Sequence, residues 1–153
     1  MTTTTINRLR NLDLFQGCTR SQLKQIDQLG IALSFAPGRA LCVEGLPGAE
    51  FFVLVDGLVA ASRSAGTVAL LRPGSWFGET ALLHNRPRGA TVTVRSDSTV
   101  IVFERREFNT LLSIAPQVRE RLERTAEFFA GQSGATHAQP VAEASEAPFQ
   151  AVG

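Results

Sequence analysis

One segment of this chain carries residue types that suit a phosphate and a sugar. A glycine at position 78 precedes Glu79 and a short helical run that reaches about Leu83. The start of such a helix presents unpaired backbone N–H groups, which can face an anion. Arg88 adds a fixed positive charge with a planar fork of donors that matches phosphate oxygens. Glu79 offers acceptors only, which suits ribose hydroxyls, so the set predicts a nucleotide site.

Each of these residues also has an ordinary structural interpretation. Arg88 could be a surface arginine paired with a carboxylate, and Glu79 could be a first-turn acid favoured by the helix dipole. We expect Trp76 and Phe77 to lie in the core rather than to stack on a base. Arg86 is expected to be solvated or structural, with a smaller chance of helping to bind a phosphate.

The elements that position this segment are short and strand-like. Many short strands with tight turns favour an antiparallel sandwich or roll over a parallel sheet. The pair Asp56-Gly57 stands between two apolar runs, which predicts a hairpin. The predicted strand segments are residues 31–36, 40–43, 51–55, 58–63, 67–71, 90–95 and 98–104.

Helical spacing flanks the strands on both sides. Residues 6–30 read as one or two short helices, with an N-cap within residues 19–22 and a stop at Gly30. Residues 105–130 return to helical spacing, and Pro116 suits the first turn of a second helix there. The predicted architecture is therefore mainly β with N-terminal helices and a C-terminal helical pair.

Length and composition indicate one domain. We expect residues 1–11 to be a polar leader, 12–130 the folded domain and 131–153 a disordered tail rich in small and polar residues.

Fifteen basic and fourteen acidic residues leave a net charge of +1, which gives no electrostatic reason to expect nucleic acid or an anionic membrane as partner. The longest apolar stretch, residues 51–55, is too short to span a bilayer, and no signal peptide is indicated, which predicts a cytoplasmic protein.

Catalytic motifs are not visible in the sequence. There is no G-x-S-x-G elbow, no Walker ending, no Cys/His signature and no pair of catalytic carboxylates. Cys18 and Cys42 lack metal-ligand spacing and read as small core residues. We therefore predict no catalytic residue, no metal, no cofactor and no enzymatic activity.

Residues 77–83, Phe-Gly-Glu-Thr-Ala-Leu-Leu, and 85–92, Asn-Arg-Pro-Arg-Gly-Ala-Thr-Val, match a known family motif. They closely resemble the phosphate-binding cassette of cyclic-nucleotide-binding domains, above all that of protein kinase A regulatory subunits. We call residues 77–92 the cassette. The turn glycines near residues 37–48 and the segment 51–57 also fall where the family keeps its turns and central hairpin. The resemblance, which covers about residues 12–130, implies an antiparallel β-roll of about eight strands with a jelly-roll-like form, as in the catabolite activator protein.

The resemblance also implies roles for individual residues. Arg88 would pair with the exocyclic phosphate oxygens, and Glu79 would accept from the ribose 2′-hydroxyl. Backbone N–H groups around Ala81 and Ala90 would complete the anion cradle, with Gly78 permitting close approach. The complete set of predicted ligand-binding residues is Gly78, Glu79, Thr80, Ala81, Arg88, Gly89, Ala90 and Thr91.

Two departures from the family pattern bear on affinity and ligand choice. Thr80 stands where the family usually has a branched apolar residue, which would loosen the packing under the cassette. Gly89 stands where relatives that prefer cyclic GMP often carry a threonine, so cyclic AMP is the expected ligand. Phe128 and Phe129 are the candidates to cap the base from the last helix.

The implied function is that of a stand-alone sensor in which cyclic AMP repositions residues 105–130, with an unidentified protein effector as a possible partner. Two alternatives stay open at this stage. One is a degenerate fold that no longer binds nucleotide and acts as a protein–protein interaction module. The other is a transcription regulator, which would need a helix-turn-helix after about residue 130. The sequence does not determine the oligomeric state.

Overall fold

The computed structural model describes residues 3–64, 66 and 68–130, and for residues 3–6, 68 and 126–130 it describes the backbone alone. The helices are α1 Thr3–Arg10, α2 Arg20–Leu29, α3 Glu79–Leu83, α4 Arg105–Ile114 and α5 Pro116–Ala130. A single 3-10 turn, Asp13–Phe15, joins the first two. The strands are β1 Ile31–Phe35, β2 Ala40–Cys42, β3 Glu50–Asp56, β4 Val59–Ser62, β5 Val68–Leu71, β6 Trp76–Phe77, β7 Thr91–Val94 and β8 Ser98–Glu104.

The strands form two antiparallel sheets of four. The first has the order β1-β8-β3-β6 and the second has the order β2-β7-β4-β5. This confirms the predicted mainly β roll with helices at both ends. Each predicted strand segment overlaps one of these strands, and β3 extends one residue beyond its predicted segment at each end. The sequence pattern missed β6, because two residues are too few to show an alternation.

The hairpin predicted at Asp56-Gly57 is wrong. Strands β3 and β4, on either side of this pair, belong to different sheets. Gly57 has φ +101°, and a Cβ there would lie 2.1 Å from the Ser98 Oγ. The Leu58 backbone N–H donates to that hydroxyl, which holds the crossing point against the start of β8. The glycine turn therefore carries the chain from one sheet to the other, a choice that the two-residue turn signal does not encode.

Two apolar clusters lie on opposite sides of β3, which explains why its sequence is almost continuously apolar. Phe51 and Val53 point into the helix cluster, which packs the helices against the first sheet. Phe52 and Leu54 point into the inter-sheet cluster between the two sheets. All four residues are at most 4% exposed. Strand β3 is thus held from both faces, and it supports the cassette at its first residues.

The N-terminal helices follow the sequence signals in part. Thr19 caps α2 through a capping box with Gln22, and Gly30 is its C-cap, as predicted. The segment expected to be a polar leader instead contains α1, and Leu9 of that helix is buried in the helix cluster. Arg8 on the same helix forms an ion pair with Asp56. The buried leucine and the ion pair both attach this segment to the domain.

The C-terminal pair is formed as expected. Pro116 begins α5, and Val118 and Leu122 on its apolar stripe are fully buried. The predicted tail, residues 131–153, lies outside the described part of the chain. No helix in the described ranges is both long enough and apolar enough to cross a bilayer.

Candidate functional site

The cassette begins where β6 ends and α3 starts. Gly78 is the N-cap of α3 and has a left-handed backbone with φ +96°. A Cβ at this position would lie 2.7 Å from the Glu50 carbonyl oxygen and 3.0 Å from Nη1 of Arg88. A glycine is therefore required both by the backbone angle and by the space. Its absence of a side chain lets α3 start directly against β3 and the arginine.

Glu79 is the first residue of α3 and is completely buried. Both of its carboxylate oxygens lack a hydrogen-bond partner among the described residues. Burial raises the pKa of Glu79 to about 8, although its own backbone N–H and the Arg88 guanidinium lower the pKa by smaller amounts. A buried acceptor without a donor is costly, so this carboxyl group is suited to an incoming hydroxyl.

Arg88 is buried to a similar degree, with 6% of the residue exposed. Its Nη1 donates to the Gly78 carbonyl oxygen at 3.3 Å, and its Nη2 donates to the Glu50 carbonyl oxygen at 3.0 Å. The same Nη2 lies 3.3 Å from the Glu50 carboxylate, which is the ion-pair partner of the guanidinium. The Arg88 guanidinium is therefore already paired with one anionic group, the carboxylate of the half-exposed Glu50 side chain.

Aromatic packing supports the position of the Arg88 guanidinium. Its central carbon lies 5.7 Å from the ring centroid of Phe52. That ring stacks on Phe77, with centroids 4.8 Å apart and an interplanar angle of 12°. Phe77 of β6 and Phe52 of β3 thus form one apolar support beneath Arg88. This arrangement also confirms that Phe77 is a core residue, and Trp76 beside it is buried as well.

The loop that carries Arg88 is pinned to the turn between β2 and β3. The Arg88 backbone N–H donates to the Leu46 carbonyl oxygen, and the Gly45 N–H donates to the Arg88 carbonyl oxygen, both at 2.8 Å. A Cβ at Gly48 would lie 1.9 Å from Nε of Arg88. Gly48 is therefore required for the guanidinium to occupy its position, a role that the turn pattern alone did not reveal.

The other predicted site residues surround this centre. Ala81 and Ala90 are buried, whereas Thr80 and Gly89 are partly exposed. Thr91 contributes its hydroxyl as an acceptor for the Glu44 backbone N–H at 3.0 Å, so it supports the neighbouring turn. The side chains of Phe128 and Phe129, predicted to cap the base, lie outside the described residues.

A cysteine also lies beneath the site. Cys42 is 5% exposed and belongs to the inter-sheet cluster, as predicted for a small core residue. Burial raises the pKa of its thiol to about 12, so the thiol is neutral near neutral pH. It adds no charge to the guanidinium and carboxylates above it.

The sequence profile of the cyclic nucleotide-binding domain matches residues 32–114, which is more than half of the chain. The chain belongs to the cyclic nucleotide-binding domain family. Its cassette supplies the buried glutamate and arginine described above, and its two sheets form the β-roll of this family.

Named relatives agree with the profile. The chain is 33% identical over 106 residues to a cAMP-dependent protein kinase regulatory subunit of Hypocrea atroviridis, covering 69% of this chain and 23% of the relative. It is 32% identical over 93 residues to a cGMP-dependent protein kinase of Eimeria tenella, covering 61% and 9%. The chain therefore spans less than a quarter of the length of these two relatives.

Solved structures share the fold. The regulatory domain of Toxoplasma gondii PKA with cAMP superposes with a TM-score of 0.73 at 23% identity, covering 82% of this chain and 49% of that one. The catabolite activator protein of Thermus thermophilus superposes with a TM-score of 0.68 at 22% identity, covering 78% and 58%. The β-roll with flanking helices is thus a fold that this chain shares with both of these proteins.

Sequence reasoning missed Glu50, which contacts Arg88 through both its carbonyl and its carboxylate. The two residues are 38 positions apart, and Glu50 stands in the sequence as one acid before an apolar run. Only the pairing of β3 with β6 and β8 places its first residue under the cassette. No local signal in the sequence identifies it.

Proposed function

We propose that this chain is a regulatory domain that binds cyclic AMP in the cassette and carries no catalytic activity of its own. The observation that supports this most directly is the buried Glu79 carboxyl group, which has no hydrogen-bond donor among the residues that the structure describes, beside the buried Arg88 guanidinium. A cyclic sugar-phosphate offers a hydroxyl to the first and an anionic phosphate to the second. The family membership of the chain makes a cyclic nucleotide the matching ligand class.

The roles of the individual residues form part of the proposal. Arg88 would bind the exocyclic phosphate oxygens, and Glu79 would accept from the ribose 2′-hydroxyl. Backbone N–H groups near Ala81 and Ala90 would bind the remaining phosphate oxygens, with Gly78 allowing the close approach. Because all these groups are buried or nearly so, losing any one leaves the others poorly satisfied.

Cyclic AMP is proposed over cyclic GMP because of Gly89, which has no hydroxyl to meet the guanine amino group. The named relatives include both a cAMP-dependent and a cGMP-dependent protein, so the distinction rests on this residue. A protein effector in the cytoplasm is the partner we propose for the liganded state.

The C-terminal helices are the proposed output of binding. Helix α3 of the cassette packs against α5, and α4 packs against both α5 and β3. A change in α3 on ligand binding can therefore be transmitted directly to α5, the last helix. In thermodynamic terms the ligand shifts the population toward the arrangement of α5 that it binds best.

Isothermal titration of the chain with cyclic AMP and with cyclic GMP tests the proposal. We expect one site per chain and tighter binding of cyclic AMP. Equal affinities would overturn the choice of nucleotide but not the family of ligand. If neither nucleotide binds and neither raises the thermal midpoint, the result would favour a degenerate fold that acts through protein contacts alone.

Hydrogen exchange tests the output. With saturating cyclic AMP we expect slower exchange across residues 116–130 than in the free chain. Unchanged exchange there, together with protection of the cassette, would show binding without the proposed helix response.

A further inference from the structure

A second basic site is formed in part by the cassette loop, next to Arg88. A surface cavity of about 250 Å³ opens between the cassette loop, the turn before β3 and the first residue of α4. Two of its lining residues are arginines, Arg86 and Arg105, and no carboxylate lines it. The remaining lining residues are Pro47, Gly48, Ala81, Asn85 and Pro87.

The two arginines have no counter-charge of their own. Both are exposed, and within the described part of the chain neither side chain has an ion pair or a hydrogen bond. By contrast, Arg106 follows Arg105 in the sequence and lies 3.6 Å from the Glu107 carboxylate. Two like charges on one small cavity repel each other unless an anion lies between them.

The walls of the cavity are held in place by main-chain hydrogen bonds. The Arg86 N–H donates to the Ala81 carbonyl oxygen at 3.3 Å, which ties the loop to α3. The bond from the Arg88 N–H to the Leu46 carbonyl oxygen ties the same loop to the turn before β3. Asn85 holds a left-handed φ of +52°, a conformation that asparagine tolerates better than most residues. The loop therefore presents Arg86 from a defined backbone rather than from a free segment.

The cavity is separate from the guanidinium of Arg88. Arg88 is buried and engages Gly78 and Glu50, and it does not line the cavity. The two sites share Gly48 as a wall, since Gly48 also faces the Arg88 side chain. They are neighbours that meet at one glycine and at α3.

We propose that this cavity binds a multivalent phosphate group, such as pyrophosphate or the di- or triphosphate of a small metabolite, independently of a cyclic nucleotide at Glu79 and Arg88. Guanidinium groups match phosphate oxygens in geometry and charge, and two of them face one cavity here. A volume of about 250 Å³ falls below the range of roughly 300–1,000 Å³ usual for drug-sized ligands, which favours a compact polyphosphate group over a complete nucleotide. Because Arg105 is the first residue of α4, a bound polyphosphate bridges the cassette loop and the C-terminal helices.

Titration of the full chain with inorganic pyrophosphate tests the proposal. We expect one site, with affinity that falls as salt is raised. Arg86→Ala and Arg105→Ala are each expected to weaken pyrophosphate binding by about tenfold or more, since each removes a charge-assisted contact. Arg106→Ala is the matched control, because Arg106 is adjacent and exposed but paired with Glu107, and it should leave the affinity unchanged.

The relation to the cassette is tested by two further arms. Pyrophosphate should still bind when cyclic AMP saturates the chain, and it should still bind to Arg88→Ala. Loss of binding in either arm would show that pyrophosphate occupies the cyclic nucleotide site at Glu79 and Arg88, and equal weakening by Arg106→Ala would show a general charge effect. Either result, or no binding at all, overturns the proposal. If cyclic AMP itself does not bind, pyrophosphate binding to Arg88→Ala still tests this proposal. The proposal and the proposed function can therefore fail independently of each other.

Discussion

The helix cluster and the cassette both pack against strand β3, and they bury opposite kinds of groups. The helix cluster encloses only apolar side chains, with Phe103 and Phe108 at most 1% exposed. The cassette encloses Glu79 and Arg88, 0% and 6% exposed. Apolar burial stabilises a fold, whereas burial of an unpaired carboxyl group opposes it. The helix cluster therefore maintains the domain, whereas the cassette contains buried polar groups that the proposed ligand would satisfy.

The largest effect on stability is expected in the helix cluster. Phe103→Ala should lower the free energy of unfolding by about 3–5 kcal/mol, because it leaves a cavity beside Phe51, whose ring centroid lies 5.8 Å away. Urea unfolding measures the change. A loss below about 1 kcal/mol would contradict the assignment of this cluster as the main source of stability.

The largest effect on binding is expected from Arg88. Arg88→Ala should weaken cyclic AMP binding by at least ~30-fold, because one partner of a desolvated charge pair is removed. Isothermal titration measures the affinity, and Arg106→Ala serves as a control arginine outside the cassette. An unchanged dissociation constant would remove Arg88 from the site.

Glu79 gives a pH-dependent prediction for the free protein. Its pKa is about 8 in the fold against an ordinary value of 4.5, so the folded state binds more protons than the unfolded state between these values. This contribution to stability is complete at low pH and is lost as the pH rises through about 8. Glu79→Gln, which cannot ionise, should therefore be more stable than the wild type at about pH 9, by more than about 1.4 kcal/mol, the equivalent of one pKa unit.

The control for Glu79→Gln is the same pair of proteins at about pH 4.5, where both side chains are neutral and the difference should be small. Chemical unfolding across this pH range supplies the measurement. A wild type whose stability is flat from about pH 5 to 9 would contradict the burial of an unpaired carboxyl group. Above about pH 8, where Glu79 is ionised, the variant should also bind cyclic AMP more weakly than the wild type, since an amide is a poorer acceptor for the ribose hydroxyl than a carboxylate.

The smallest effect is expected at Glu50. Its carboxylate pairs with Arg88 at 3.3 Å and would compete with a ligand phosphate for the guanidinium. Glu50→Gln should therefore tighten cyclic AMP binding, by no more than about fivefold, because half-exposed ion pairs are weak. The gain should shrink at high salt. Weaker binding by this variant would mean that the carboxylate helps to hold Arg88 in its productive position.

Much of the fold follows from local patterns. The capping box at Thr19, the start of α5 at Pro116 and the α3 helix after Gly78 all depend on residues within one turn of each other. These interactions are the same in any tertiary context, so spacing alone was enough to predict them. The assignment of Glu79 and Arg88 to one candidate site was also possible from the sequence, because both belong to one contiguous motif.

Errors arose where a local signal has more than one tertiary outcome. A glycine turn at Gly57 can close a hairpin or carry the chain to another sheet. Here the chain passes to the other sheet, and Gly57 lies against Ser98. The polar start of the chain reads as a leader, yet Leu9 finds a place in the helix cluster. In both cases the deciding partner is distant in sequence.

Local patterns were enough to predict the alternation of short strands and turns, the helical ends, and a cassette with an acid and an arginine nine positions apart. Three features depend on how the chain packs: Glu79 is enclosed without a donor among the described residues, Glu50 pairs with the Arg88 guanidinium, and Arg86 and Arg105 share a cavity. Propensity and turn chemistry act over a few neighbouring residues. Burial, pKa and charge pairing depend on chain segments that meet only when the sheets and helices pack.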